Sequence, residues 1–96
     1  MSSPVAVIAT ITAAPQHREA VEAALRIAVP LVRKEAGCEQ YTLHRDLAQP
    51  DNFVMVERWS DEAALTQHVQ APAFLALAKA LEGRAALSVT KLEPLV

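Results

Sequence analysis

The sequence predicts an α+β fold of the ferredoxin-like kind, with elements in the order strand, helix, strand, strand, helix, strand. Three observations lead there. Four stretches alternate apolar residues with a period of two. Two stretches between them repeat at helical spacing. The two middle strands are joined by a turn too short for a crossover, which makes them an antiparallel hairpin. This βαββαβ order is the split βαβ arrangement, with an antiparallel sheet. At 96 residues the chain is read as one domain, 1–96, with one modest core.

The first strand is "PVAVIATITA", residues 4–13. It is apolar on both sides: Val5, Val7, Ala9 and Ile11 on one face, Ala6, Ile8 and Thr10 on the other. That composition suits a central strand covered from both sides. Pro15 fits a first helical position. Val21, Leu25, Ala28 and Val32 then recur at helical spacing to about residue 36. Pro30 lies inside that pattern and is expected to kink the last turns, because it removes a backbone donor. Gly37 ends the helix.

"CEQYTLHRDL", 38–47, and "NFVMVERW", 52–59, are the hairpin strands, and "AQPDN" between them is turn chemistry. Ser60 is the expected cap of the next helix, with Asp61 and Glu62 in its first turn at the positive end of the dipole. Ala64, Leu65, His68 and Val69 follow at helical spacing. Pro72 pushes Ala71 out of helical geometry, so a break is expected at 70–72. A second helical piece carries Phe74, Leu77, Ala78 and Leu81 and stops at Gly83. "AALSVTKLE", 85–93, is the last strand.

Both helices of such a fold lie on one sheet face, since both crossovers are right-handed. The other face has nothing in the chain to cover it, yet the first and third strands are apolar on both faces, with Phe53 and Met55 on one side of the third and Val54 and Val56 on the other. A bare apolar sheet of that size favours a second copy packed face to face, a homodimer.

Composition excludes several function classes. Net charge is −2 with acids and bases interspersed, so there is no basic face for nucleic acid. No stretch approaches a membrane span of about 20 apolar residues, and no leader is expected. One cysteine, Cys38, cannot form an internal disulfide; an inert buried thiol in a reducing cytoplasm is the expectation. Two distant glycines make no phosphate-binding loop, so no nucleotide or flavin cofactor is expected. His17, His44 and His68 fall on three different elements without metal-ligand spacing, so no metal is expected either.

What remains is "ERWSDEAALTQH", residues 57–68. Trp59 ends the third strand, and His68 shares the inward stripe of the next helix with Ala64 and Leu65. One reading is packing alone, with His68 bonded to a backbone carbonyl and Trp59 lying over the helix. The other is a pocket in which Trp59 is an aromatic wall and His68 a proton acceptor or oxygen-orienting donor, work that suits a group whose unperturbed pKa is near 6.5. Tyr41 is either a further donor or a half-buried strand tyrosine. Arg45, Glu57 and Arg58 are expected in cross-strand or subunit-interface pairs.

"EAGCEQYTLHRD" (35–46), "PDNFVMVERW" (50–59) and "SDEAALTQH…APAF" (60–74) resemble the antibiotic biosynthesis monooxygenase-like family of dimeric α+β barrels. Arg18 and Val21 on the first helix also fit, so the resemblance runs along nearly the whole chain. It implies a cofactor-independent oxygenase acting on anthrones or quinols with O2, the substrate itself supplying the electrons. It would make His68 the base, Trp59 a stacking wall and Tyr41 a donor. This chain departs from the family in places. Ala73 stands where many members have a second histidine. Met55 and Leu65 stand where anthrone-oxidising members have a polar residue and a tyrosine. "FLALAKALEG" lacks the histidine that haem-degrading members use. Two other readings fit the same residues: a cofactor-free isomerase or tautomerase, and a non-catalytic dimer that binds a small ligand or serves in stress response.

Overall fold

The computed structural model describes residues 3–96. Strand β1 (Val5–Ala13) leads through a 3-10 turn (Pro15–His17) into helix α1 (Arg18–Val32). Strands β2 (Cys38–Arg45) and β3 (Asn52–Trp59) follow. Helices α2 (Glu62–His68) and α3 (Pro72–Leu81) then lead to β4 (Ala85–Leu92). The sheet has the order β2-β3-β1-β4 and every neighbouring pair is antiparallel. This is the ferredoxin-like α+β fold that the element order predicts.

The alternation in β1 and β3 sorts their side chains. Val7, Ala9, Ile11, Phe53, Met55, Glu57 and Trp59 are all buried on one face. The apolar stripes of the helices close over them: Val21, Leu25, Ala28 and Val32 from α1, Leu65 from α2, Leu77 and Leu81 from α3. At about 25 cal/mol per Å2 of apolar surface, this single layer is the main source of stability. On the opposite face Ala6, Ile8, Val54 and Val56 are only half-buried, shaded by one another and by no helix of the chain.

Two expectations are corrected. The first helix ends at Val32, four residues before the predicted end, and the chain reaches Gly37 through turns. Pro30 lies in its last turn. The cap of α2 is Asp61, not Ser60: the Asp61 carboxylate accepts from Ala64 N at 2.8 Å. A cap oxygen must reach the N–H three residues on, and the extended backbone at Asp61 sets that register. The predicted break at 70–72 is present, with Ala71 extended (ψ 155°) before Pro72.

Gly37 is needed twice over. Its φ is +82°, and a Cβ there would lie 2.5 Å from the Ala64 Cβ and 2.7 Å from Ser60 Oγ. Its carbonyl accepts from Ser60 N at 2.8 Å. The turn after α1 is thus pressed against the start of α2, which carries Glu35 toward the end of that helix. Among the described residues no helix is long and apolar enough to cross a membrane.

Candidate active site

His68 ends α2 and is 3% exposed. The packing reading assigns it a backbone carbonyl partner. Its partner is instead a carboxylate: Nδ1 lies 2.8 Å from Glu35 Oε1. An ionised carboxylate only accepts, so Nδ1 carries the hydrogen. In the neutral ring Nε2 is then the basic nitrogen, and it makes no hydrogen bond among the described residues. Three aromatic rings fix the imidazole plane. Trp59 stacks on it at 4.5 Å between centroids, and Tyr41 and Phe74 meet it edge-on at 5.6 Å and 5.2 Å.

Trp59 is fully buried and sits behind the imidazole. It is not among the residues that line the cavity described below. The strand ends next to α2, whose His68 ring stacks on the indole. Phe74, from the start of α3, takes the wall position. The indole also serves a neighbouring acid, because its Nε1–H donates to Glu57 Oε1 at 3.0 Å.

The sequence expectation put Glu57 in a cross-strand or subunit-interface pair, but it is buried and makes no ion pair among the described residues. It is 6% exposed and lies between β1 and β2 at Val7 and Tyr41. The signal was available: Glu57 is two residues before Trp59, and alternate residues of a strand share a face. The predicted Arg58 pair does form, to Glu39 across the hairpin at 2.9 Å, while Arg45 pairs with Glu22 of α1. Burial pushes the Glu57 carboxyl above its ordinary range, against the opposing pull of the Trp59 N–H and of His68. Burial likewise pushes the Tyr41 phenol up, helped by Glu57 and Glu35, so Tyr41 stays a hydrogen-bond donor at neutral pH. Cys38 is half-buried rather than buried, and burial raises its thiol as well.

These groups meet at a cavity of about 90 Å3 between the sheet and helices α2 and α3. Its walls are apolar, among them Ile11, Leu25, Met55, Leu65 and Leu77; Tyr41, Glu57 and His68 are its polar lining. It opens past Val69, Leu87 and Val89, which are 41%, 50% and 55% exposed. A cavity of roughly 150 Å3 holds a benzene ring. An aromatic ligand must therefore widen this one or extend through its mouth. A larger groove between α1 and β2, about 300 Å3, is open and carries Glu22, Arg26, Arg33 and Arg45. It lies away from this cluster. No group of three or more histidine, cysteine or acidic side chains suited to a metal occurs among the described residues.

A ferredoxin-like sheet with a helix-roofed apolar cavity, and an imidazole set against a carboxylate inside it, defines a class of small α+β proteins with one buried polar site. The chain belongs to the antibiotic biosynthesis monooxygenase family, whose pattern it matches over residues 4–80. It is 37% identical over 75 residues to "Putative monooxygenase Rv0793" of Mycobacterium tuberculosis, covering 78% of this chain and 73% of that one. The solved structure of Rv0793 superposes with a TM-score of 0.93 at 32% identity, over 98% of this chain and 97% of that one. PA3566 from Pseudomonas aeruginosa also superposes at 0.93, with 43% identity, over 100% of this chain and 98% of that chain.

Proposed function

We propose that the cavity under α2 and α3 carries out a cofactor-independent monooxygenation of a quinol-like or polyketide aromatic substrate by O2. One observation carries the reading: His68 is held by Glu35 at Nδ1 in an otherwise apolar cavity, with Nε2 left as acceptor. Family membership supports it. A phenolic O–H placed against Nε2 gives up its proton there, and the electron-rich anion can then reduce O2 itself. Apolar walls help, because a desolvated anion is the stronger reductant and water is kept from the radical pair. Tyr41 donates to a substrate oxygen. Trp59 holds the base from behind. A tautomerase would need the same base but no oxygen, so oxygen uptake separates the two.

The experiment is oxygen consumption with reduced naphthoquinols or anthrones in air, with quinone formation followed alongside. Uptake that falls in a His68→Ala protein by about 10²- to 10⁴-fold, the usual contribution of a general base, supports the assignment. An equally active His68→Ala protein removes His68 from the mechanism. Product without oxygen uptake establishes an isomerase instead. The proposal includes a second copy on the open sheet face, and a reducing cytoplasm as its setting.

A further inference from the structure

Two carboxylates share the site of the imidazole, in contrasting surroundings. Glu35 is 19% exposed and bonded to His68 Nδ1. Glu57 is 6% exposed, has no cationic partner among the described residues, and accepts only the indole N–H of Trp59. Burying a carboxylate without a counter-charge disfavours its ionised form, and burial raises the Glu57 carboxyl accordingly. A glutamine would make the same bond to Trp59 without that cost. Packing therefore does not explain an ionisable group here. Glu57 and His68 both line the cavity, and Trp59 joins them, stacked on one and bonded to the other. Titratable groups kept in opposite environments at one site mark an acid and a base.

We infer that Glu57 is a second catalytic residue of the proposed reaction, the acid that protonates the distal oxygen of a substrate hydroperoxide as its O–O bond breaks. The inference rests on the monooxygenase reading of the same cavity. For a substrate with a methylene carbon next to the phenol system, the steps balance as follows. His68 removes one of the two methylene protons, the resulting carbanion, delocalised into the phenol system, passes one electron to O2, and the carbon radical and superoxide join in a C–O bond. The peroxide anion takes the proton back from His68 and becomes a hydroperoxide. His68 then removes the remaining C–H proton, and that electron pair forms the C=O bond. The O–O bond breaks, and the departing hydroxide takes the Glu57 proton and leaves as water. Proton transfer from His68 to Glu57 restores both groups. In sum, one methylene and one dioxygen become one carbonyl and one water: the carbon loses two hydrogens and four electrons, and dioxygen gains those four electrons.

The test compares the parent protein with Glu57→Gln, which keeps an acceptor for Trp59, using an anthrone in air. Oxygen uptake, quinone and peroxide are measured together. The expected result is quinone formed per oxygen consumed reduced by about 10²-fold, with substrate hydroperoxide in its place. Glu57→Asp, which keeps an acid of shorter reach, recovers part of the quinone. A Glu57→Gln protein with the parent's quinone yield, or one that loses uptake and quinone in step, overturns the inference and leaves the monooxygenase reading standing. A parent that takes up no oxygen overturns both. Near-ultraviolet dichroism reports folding, and if Glu57→Gln does not fold, Glu57→Asp decides: unchanged product partition overturns the inference.

Discussion

The imidazole of His68 and the carboxylate of Glu35, 33 residues apart in the chain, meet at 2.8 Å. The turn after α1 brings them together, pressed onto α2 through Gly37. The bond fixes the tautomer and the ring orientation, which is how a carboxylate makes a histidine an effective base. A positioning role of this kind has a signature. Glu35→Ala is expected to lower turnover by about tenfold or more and to shift the pH profile of the rate, whereas Glu35→Gln, which still accepts from Nδ1, recovers much of it. Equal losses in both variants with an unchanged pH profile would refute the positioning role.

Glu57 sets a pH dependence of stability. Its folded-state pKa is raised above the ordinary value of 4.5. From 4.5 up to the raised value the native state binds more protons than the unfolded chain, so stability falls as pH rises through that window. Below 4.5 both states hold the proton and the penalty vanishes. Glu57→Gln is expected to melt higher than the parent at pH 7, and the gap should shrink as pH is lowered toward 4.5. Thermal unfolding across that range checks it. A gap that widens on acidification would show the opposite shift.

Gly37 and Gly83 separate backbone strain from close packing. Both have positive φ, +82° and +74°, but a Cβ at Gly83 meets nothing within 4 Å. Gly83→Ala carries only the left-handed penalty of about 1–2 kcal/mol. Gly37→Ala adds a collision with Ala64 and Ser60. It is expected to lower Tm further, at about 4–8 °C per kcal/mol for a domain of this size, and to weaken activity by displacing Glu35. Equal melting temperatures for the two variants would count against the close approach.

The open sheet face predicts the assembly. Sedimentation at micromolar concentration should give twice the chain mass of 10.4 kDa. Val56→Asp places a charge amid the half-buried Ile8 and Val54 side. It should give monomers, since an unpaired charge in an apolar interface is costly to desolvate. A parent protein that sediments as a monomer would refute the second copy.

Much of this molecule was legible as periodicity. Alternation in β1 and β3 and the helical stripes in α1 and α3 record which side chains leave water, and burial is a local pattern that repeats along the chain. The inward turn of Trp59 and His68 follows from it. The face of Glu57 was legible too, two residues before Trp59, but the absence of an ion-pair partner for it among the described residues was not. Asp61 in place of Ser60 is a register of one residue, finer than composition resolves.

Residue pattern alone was enough for the order of the elements, the βαββαβ class and the burial of Trp59 and His68, because these depend on neighbours three or four residues away at most. Three facts needed the folded chain: Glu35 holds His68, Trp59 stands behind the imidazole rather than before it, and Glu57 is buried without a counter-charge. They depend on how the turn after α1 docks on α2 and on where the helices cross the sheet. Such contacts join residues distant in the chain, and their geometry is set by packing the whole core at once.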